Sequence, residues 1–391
     1  MNIKRAVCDF GNSLCQQMID GFYFELPSSI KEIKEKEAKG LFANEVSLHE
    51  LHRQLVIRIN ENGSDRYFKV GEKAKMDLQG NNHIHSLHDK TKSDTVLVTW
   101  LAGLAYYHAR QQPDVSEETI EIGYFGTLLP VWLLKKSERF GEKLEAMASR
   151  FKAVRTFELL TAGHVRTLEV RVEQSRCRVE GETARFALKY DLELNQKDDV
   201  AKYDDAHTVI NDIGGQSQDV CKLPPGLGAP GTADDFHSVT DQSFLKVLEQ
   251  FRMDKLMDYF QDVRSLEAFI VANHETQHFI YKDPVTHEET DLTETIEPML
   301  RHFSEVAMER TLHSFQFSYG QTIQYVHIGG VTQILRFYME EYLVQTLGED
   351  VIKQYHSFPS DSRKLNIYGS EIIAKSEVKK QEAAAANKEH V

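Results

Sequence analysis

Long apolar runs are missing from this 391-residue sequence: nowhere do about 18 apolar residues stand together, so no membrane-spanning helix is expected. The opening Met1-Asn2-Ile3-Lys4-Arg5-Ala6-Val7-Cys8-Asp9 meets charge at once and lacks a signal peptide's apolar core. Cysteine is scarce. Cys8, Cys15, Cys177 and Cys221 show neither disulfide nor metal spacing and read as reduced thiols of a cytoplasmic protein. Positive charge is in deficit, with 46 Lys and Arg against 60 Asp and Glu, a net of −14. That balance speaks against direct binding of nucleic acid or of an anionic membrane surface.

What is present is ordinary for a globular chain: 41% hydrophobic and 27% charged residues, over a length that suits two lobes with separate cores. Ile3 to Cys8 reads as a strand, followed by a polar turn and a returning strand from Leu14 to Leu26. Leu55 to Asn60 and Asp65 to Val70 alternate around Glu61-Asn62-Gly63-Ser64, a hairpin signal. Thr95 to Arg110 is apolar all round and predicts a buried helix; Trp132 to Phe151 predicts a charged amphipathic one. Val165 to Val172 and Arg176 to Val179 read as extended. Helical spacing returns at Asp241 to Phe260, at Thr293 to Phe315 and at Thr332 to Leu347. The tail from Lys375 is polar and low in complexity.

Three stretches carry chemistry of one kind. Thr208-Val209-Ile210-Asn211-Asp212-Ile213-Gly214-Gly215-Gln216-Ser217-Gln218-Asp219 runs from a β-branched strand through an acid into two glycines and a second acid. Glycines at a strand end let the backbone turn tightly and aim bare N–H groups at an anion. A carboxylate there can hold hydrated Mg2+, which keeps several of its waters. Asp9-Phe10-Gly11-Asn12-Ser13 repeats the logic at the start of the chain. Ile328-Gly329-Gly330-Val331-Thr332 gives a third strand-to-glycine turn, here feeding a helix. Together they predict a phosphate-and-magnesium site.

Two histidine patterns point elsewhere. His83, His85 and His88 fall in the polar stretch from Asn81 to Asp94, without acids at ligand spacing, and read as a solvated loop. His274-Glu275-Thr276-Gln277-His278 matches the H-E-x-x-H zinc-protease pattern, which needs both histidines on one helix face. Phe279 to Pro284 reads as strand or turn, and no third ligand stands out. A zinc metallopeptidase is therefore the weaker alternative.

Three ordered strand-to-glycine turns, two of them acidic, resemble the actin, heat-shock chaperone and sugar-kinase ATPase superfamily. Within it, Val7 to Ser13, Tyr67-Phe68-Lys69-Val70-Gly71-Glu72-Lys73-Ala74 and Lys364-Leu365-Asn366-Ile367-Tyr368-Gly369 are most similar to the ParM-like plasmid-segregation actins. The resemblance implies an α/β, two-lobed actin-like fold: two RNase H-like domains with a nucleotide cleft between them. Lobe I would hold residues 1–163 plus 352–391, and lobe II residues 164–351. It implies ATP or GTP as ligand, with Asp9 and Asp212 holding Mg2+ through waters. Backbone N–H groups of Gly11, Asn12 and Ser13 would cradle one phosphate and those of Gly214, Gly215 and Gln216 the next. Gly329 and Gly330 would lie against the nucleoside. Glu180, or Glu182 in its place, would orient the attacking water, so Glu180 and Asp212 are the expected catalytic residues. The expected partners are further copies of the chain in a polar filament and a DNA-binding adaptor on a plasmid centromere, with no direct nucleic acid and no membrane. Two departures stand out. Leu14-Cys15-Gln16-Gln17 replaces a lysine usual after the first phosphate loop, and Thr127-Leu128-Leu129-Pro130 stands where relatives usually show a glycine before Leu-Pro. A small-molecule kinase of the same superfamily is the other alternative.

Overall fold

The computed structural model describes residues 1–61, 63–77, 82–83, 89–136 and 139–389. His85 and His88 lie outside them, as does Asn62 of the hairpin turn. The first sheet contains, in chain order, β1 (Asn2–Phe10), β2 (Leu14–Ile19), β3 (Phe22–Pro27), β4 (Ser29–Ile33), β5 (Val56–Glu61), β6 (Ser64–Val70), β7 (Asn82–His83), β8 (Glu117–Leu129), β9 (Arg155–Leu159) and β10 (Arg166–Val179). Their spatial order is β3-β2-β1-β8-β10-β9-β5-β6-β4-β7. The second sheet begins with β11 (Ala206–Ile213), β12 (Gln218–Leu223) and β13 (Phe236–Val239). A separate hairpin, β14 (Ile280–Lys282) and β15 (Glu289–Asp291), precedes β16 (Thr322–Ile328) and β17 (His356–Ser357), which complete it in the order β13-β12-β11-β16-β17.

The two sheets share one plan. In each, three antiparallel strands form a meander, β1-β2-β3 and β11-β12-β13. Parallel strands then extend it, β8 and β10 in the first and β16 and β17 in the second. Parallel neighbours need crossover connections, and helices supply them. Asp94–Gln111 is the most enclosed of these helices, buried at every position from Thr95 to Ala109, as its all-round apolar sequence predicts. One core fills the first lobe and continues onto Ile210, Val326 and Ile328 of the second sheet. A second core joins Ile213 to the helices Phe244–Phe251, Val263–Asn273, Thr293–His313 and Gly330–Leu347. The two-lobed α/β architecture is as expected, and no helix among the described residues is long and apolar enough to cross a membrane.

Several boundaries move. The stretch from Leu14 to Leu26 is a hairpin, because Asp20 and Gly21 take positive φ of 45° and 88° and reverse the chain. Asp-Gly suits such a tight turn, which matches the strand twist. The predicted helix from Trp132 to Phe151 is two, Val131–Lys135 and Phe140–Arg150. The extended pieces before Val179 are one continuous strand, β10, paired with β8 from Thr167–Glu117 to Val179–Leu129. Sheet membership therefore moves the lobe boundaries: β10 belongs to lobe I, so the chain crosses after Val179 rather than at 163. The return also comes later than 352, since β17 pairs with β16 in the second sheet.

The polar tail from Lys375 is the second half of a 25-residue helix, Leu365–Glu389. Arg5 Nε meets Glu371 Oε1 at 2.6 Å and Lys4 Nζ meets Glu382 at 2.8 Å, fastening that helix to β1. Its first turns press against the crossing segment. A Cβ on Gly369 would stand 2.6 Å from the carbonyl carbon of Thr183 and collide with its oxygen. Gly369→Ala is predicted to destabilise the protein by at least about 2 kcal/mol in urea unfolding, since neither backbone can yield. A loss below about 0.5 kcal/mol would mean that the helix does not seat on Thr183 so closely.

Candidate functional site

The three glycine turns meet in one cleft of about 150 Å3, where the carboxyl ends of β1 and β11 face each other. Each acid occupies the same place in its sheet. Asp9 is the last residue but one of β1 and pairs with Gln16 of β2; Asp212 is the last but one of β11 and pairs with Asp219 of β12. The first turn contributes Gly11, Asn12 and Ser13 to the lining. It is pinned by Ser28, whose hydroxyl donates to Gly11 O at 2.5 Å and whose N–H donates to Ser13 O at 3.0 Å. The second turn contributes Gly214, Gly215 and Ser217. Gly214 N–H donates to Ser217 O at 2.9 Å, and Gly215 O accepts from Leu245 N–H at 2.8 Å. Gly329 and Gly330 complete the cradle. Gly329 has φ +100°, and a Cβ there would stand 2.5 Å from Asp212 Oδ1, so the third turn fits against the second only as glycine. Gly330 opens an 18-residue helix whose N-terminal N–H groups favour an anion.

Four carboxylates line or adjoin this small space. Asp212 accepts from Asn366 Nδ2 at 2.7 Å, and Asn366 in turn accepts from Gly181 N–H at 2.9 Å, so one side chain links the acid to the crossing segment. Asp219 accepts from Ser217 and Ser238 hydroxyls. Glu180, just beyond β10, pairs with Lys90 Nζ at 2.9 Å. Burial, then the charge of Glu180, pushes the Asp9 carboxyl well above the usual range. The same two causes raise Asp212 to about 7, and burial raises Asp219 to about 7. Burial opposes the charge on Lys90, but Glu180 and Asp9 outweigh it and hold the ammonium.

The cavity suits a hydrated divalent cation. Its acids outnumber its buried lysine, and Gln16 Oε1, opposite Asp9, is buried without a hydrogen-bond partner. Direct coordination is another matter: among the described residues no three His, Cys, Asp or Glu side chains form a metal-holding group. Carboxylates that reach an ion through its waters fit both observations.

Beside the phosphate-sized cleft lies a pocket of about 530 Å3 that shares Asn12, Ser13, Gly215 and Gly330 with it and adds apolar walls from Ala268, Val271, Val331 and Ile334. Arg264 Nη1 donates to Ser13 Oγ at 2.6 Å across its mouth, joining the first turn to the second lobe. Its size and apolar lining suit a nucleoside.

Ten of the eleven expected site residues line the cleft: Asp9, Gly11, Asn12, Ser13, Glu180, Asp212, Gly214, Gly215 and the Gly329-Gly330 pair gather there. Gln216 does not. It is buried and lines a neighbouring pocket with Ser243 and Leu245, while Ser217 joins the lining of the cleft. Glu182 also stands apart, held by Arg185 at 2.7 Å, which leaves Glu180 as the glutamate of the cleft. No local signal marks Lys90, which sits in the stretch read as a solvated loop, nor Arg363 and Gln16, yet all three line the cleft. The zinc pattern fails on geometry: the Val263–Asn273 helix ends before it, Gln277 takes φ +56°, and His274 and His278 share no helical face.

Comparison with solved structures decides the family. The crystal structure of the actin-like protein Alp7A matches with a TM-score of 0.90 and 34% identity, over 99% of this chain and 100% of that one. The chain belongs to the Alp7A family of actin-like proteins. A family model described as the Alp7A C-terminal domain matches residues 207–362. ParM in a 15-stranded filament from Clostridium botulinum matches with a TM-score of 0.68 and 15% identity, over 96% of this chain and 100% of that chain. Bacillus thuringiensis ParM with AMPPNP matches with a TM-score of 0.65 and 14% identity, over 97% and 99%. These two share the fold. No curated protein matches the chain. Membership of the Alp7A family gives no support to a small-molecule kinase.

The raised carboxyls of this Alp7A-family cleft set a pH dependence. An unfolded aspartate releases its proton near pH 4, whereas Asp212 and Asp219 keep theirs to about 7. Over that interval the native chain binds more protons than the unfolded one, so stability falls as pH rises. With metal chelated and nucleotide absent, the urea midpoint is expected to drop between about pH 5 and pH 8, and Asp212→Asn to flatten the drop. An identical slope in Asp212→Asn would show that the site is not charge-strained.

Proposed function

We propose that this chain is a filament-forming actin-like ATPase that drives plasmid DNA segregation. The observation that carries the reading is the convergence of Asp9, Asp212 and three glycine turns on a phosphate-sized cleft that opens into a nucleoside-sized pocket. It is supported by Alp7A membership, by B. thuringiensis ParM with AMPPNP, ATP and ADP, and by the C. botulinum ParM filament.

In this reading the polyphosphate of ATP or GTP lies between the first and second turns. Backbone N–H groups of Gly11, Asn12 and Ser13 take one phosphate; those of Gly214 and Gly215 take the terminal one. Gly329 and Gly330 back the nucleoside, whose base enters between Val271 and Ile334. Asp9 and Asp212 would hold Mg2+ through its waters, with Gln16 Oε1 beside them as a free acceptor, and the ion would supply positive charge to the phosphate oxygens. Glu180 orients water in line with the terminal phosphate; such positioning is the main task a protein has in phosphoryl transfer. Lobe I holds one phosphate while lobe II holds the terminal phosphate and the nucleoside, so occupancy by triphosphate favours the closed cleft and hydrolysis releases it. Head-to-tail contacts between closed subunits then build an open polar filament. A DNA-binding adaptor on a plasmid centromere couples it to its cargo, which agrees with the acidic net charge.

Light scattering with triphosphate and Mg2+ tests the reading: assembly above a critical concentration is expected, and a protein that stays monomeric would contradict it. Glu180→Ala should slow phosphate release at least about tenfold while filaments still form. Unchanged turnover would remove Glu180 from its role.

A further inference from the structure

Lys90 is unexplained by the roles assigned above. It is 3% exposed, lines the cleft beside Asp9, Gln16 and Glu180, and comes from a segment far from any of the three turns. Its backbone is fixed from two sides. Arg150 donates to Lys90 O at 3.0 Å and to Ser93 O at 2.8 Å, and Lys143 pairs with Asp89 at 2.6 Å. Asp89 Oδ1 also accepts from Thr91 N–H at 3.0 Å. The Phe140–Arg150 helix thus presents the lysine rigidly, at the entropic cost of a buried four-carbon chain.

An anionic ligand cannot enter a space lined by Asp9, Glu180, Asp212 and Asp219 without cations to meet it. The residues after the first turn, Leu14-Cys15-Gln16-Gln17, offer none. Arg363 also lines the cleft, but its guanidinium is engaged by Glu25. Lys90 is the buried cation among the described lining residues, and its present partner is the glutamate that would orient water. A lysine ammonium is a compact point charge with three donors, so it can change acceptors without reorienting a planar group.

Resting on the nucleotide reading of this cleft, we propose that Lys90 is its phosphate-binding cation and exchanges partners when nucleotide binds. Without ligand it is paired with Glu180. With triphosphate bound it donates to a phosphate oxygen, and Glu180 is released to hold water. Lys90 is then both a phosphate ligand and the residue that withholds Glu180 until the substrate is in place.

The test uses binding of a fluorescent triphosphate analogue with Mg2+, read by anisotropy. Lys90→Met alone would strand a buried carboxylate, so the comparison is Glu180→Gln against the double variant Lys90→Met/Glu180→Gln, both checked for cooperative melting. The account expects the double variant to bind at least about tenfold more weakly, as for loss of a charge-assisted hydrogen bond, and Lys90→Arg/Glu180→Gln to stay within about threefold of the reference. Equal affinity in Glu180→Gln and the folded double variant would overturn it. Should the methionine variant not fold, the arginine variant decides: retention within about threefold supports the proposal, and a tenfold loss overturns it. Absence of binding by the wild-type chain would overturn the nucleotide reading and this one with it, whereas wild-type binding that ignores Lys90 overturns this one alone.

Discussion

Like charges held together in one buried cleft are the constraint from which the rest of this structure follows. Asp9, Glu180, Asp212 and Asp219 face a common cavity, and burial with mutual repulsion raises three of them into the neutral range. One buried lysine, two hydroxyls on Asp219 and one amide on Asp212 offset part of that cost. A protein has little reason to keep such a cavity for stability, because removing charge from it would be favourable. Strain of this kind clusters at functional sites. The remaining imbalance is charge that a hydrated cation bound with a polyphosphate would relieve, which is the occupancy the proposed function calls for.

The fold delivers this arrangement by using one sheet plan twice. Each meander turns its first strand so that an acid, one residue short of the strand end, faces outward at a glycine turn. Bringing the ends of β1 and β11 to one cleft sets the two acids together without either lobe needing a long loop. Between them the crossing segment is short and densely tied. Asn366 touches both Gly181 and Asp212, Gly369 seats on Thr183, and Gly329 N–H donates to Ser362 O. A shift of one lobe therefore moves Asp212 relative to Asp9 and Glu180, the movement through which the proposed function would pass phosphate contacts on to subunit contacts.

Much of the site was legible because its glycine turns are contiguous. Asp9 to Ser13, Asp212 to Gly215 and Gly329-Gly330 each carry strand, turn and chemistry within a few residues, and their order along the chain supplies the pairing. Lys90 was illegible for the opposite reason. Its neighbours Asp89, Thr91 and Lys92 are those of any polar loop, and only the distant Arg150 and Lys143 fix where it goes. Gln216 shows a different limit: two glycines announce a turn without saying which following side chain lines the cleft, and here Ser217 does while Gln216 lines the neighbouring pocket with Leu245. The lobe boundaries moved because β10 reads as two short pieces around Glu173-Gln174-Ser175, and only its partner β8 makes it one strand. Asp20-Gly21 was a readable turn signal inside a stretch that otherwise reads as one strand.

The central claim is that segments far apart in sequence act as one clamp on a nucleotide. Amide hydrogen exchange measured with and without a non-hydrolysable triphosphate and Mg2+ tests it most directly. The account predicts that segments 9–16, 89–93, 212–219, 329–333 and 362–366 gain protection together, at one ligand concentration, with the outer strands unchanged. Protection confined to a single turn, or none at saturating nucleotide, would contradict it.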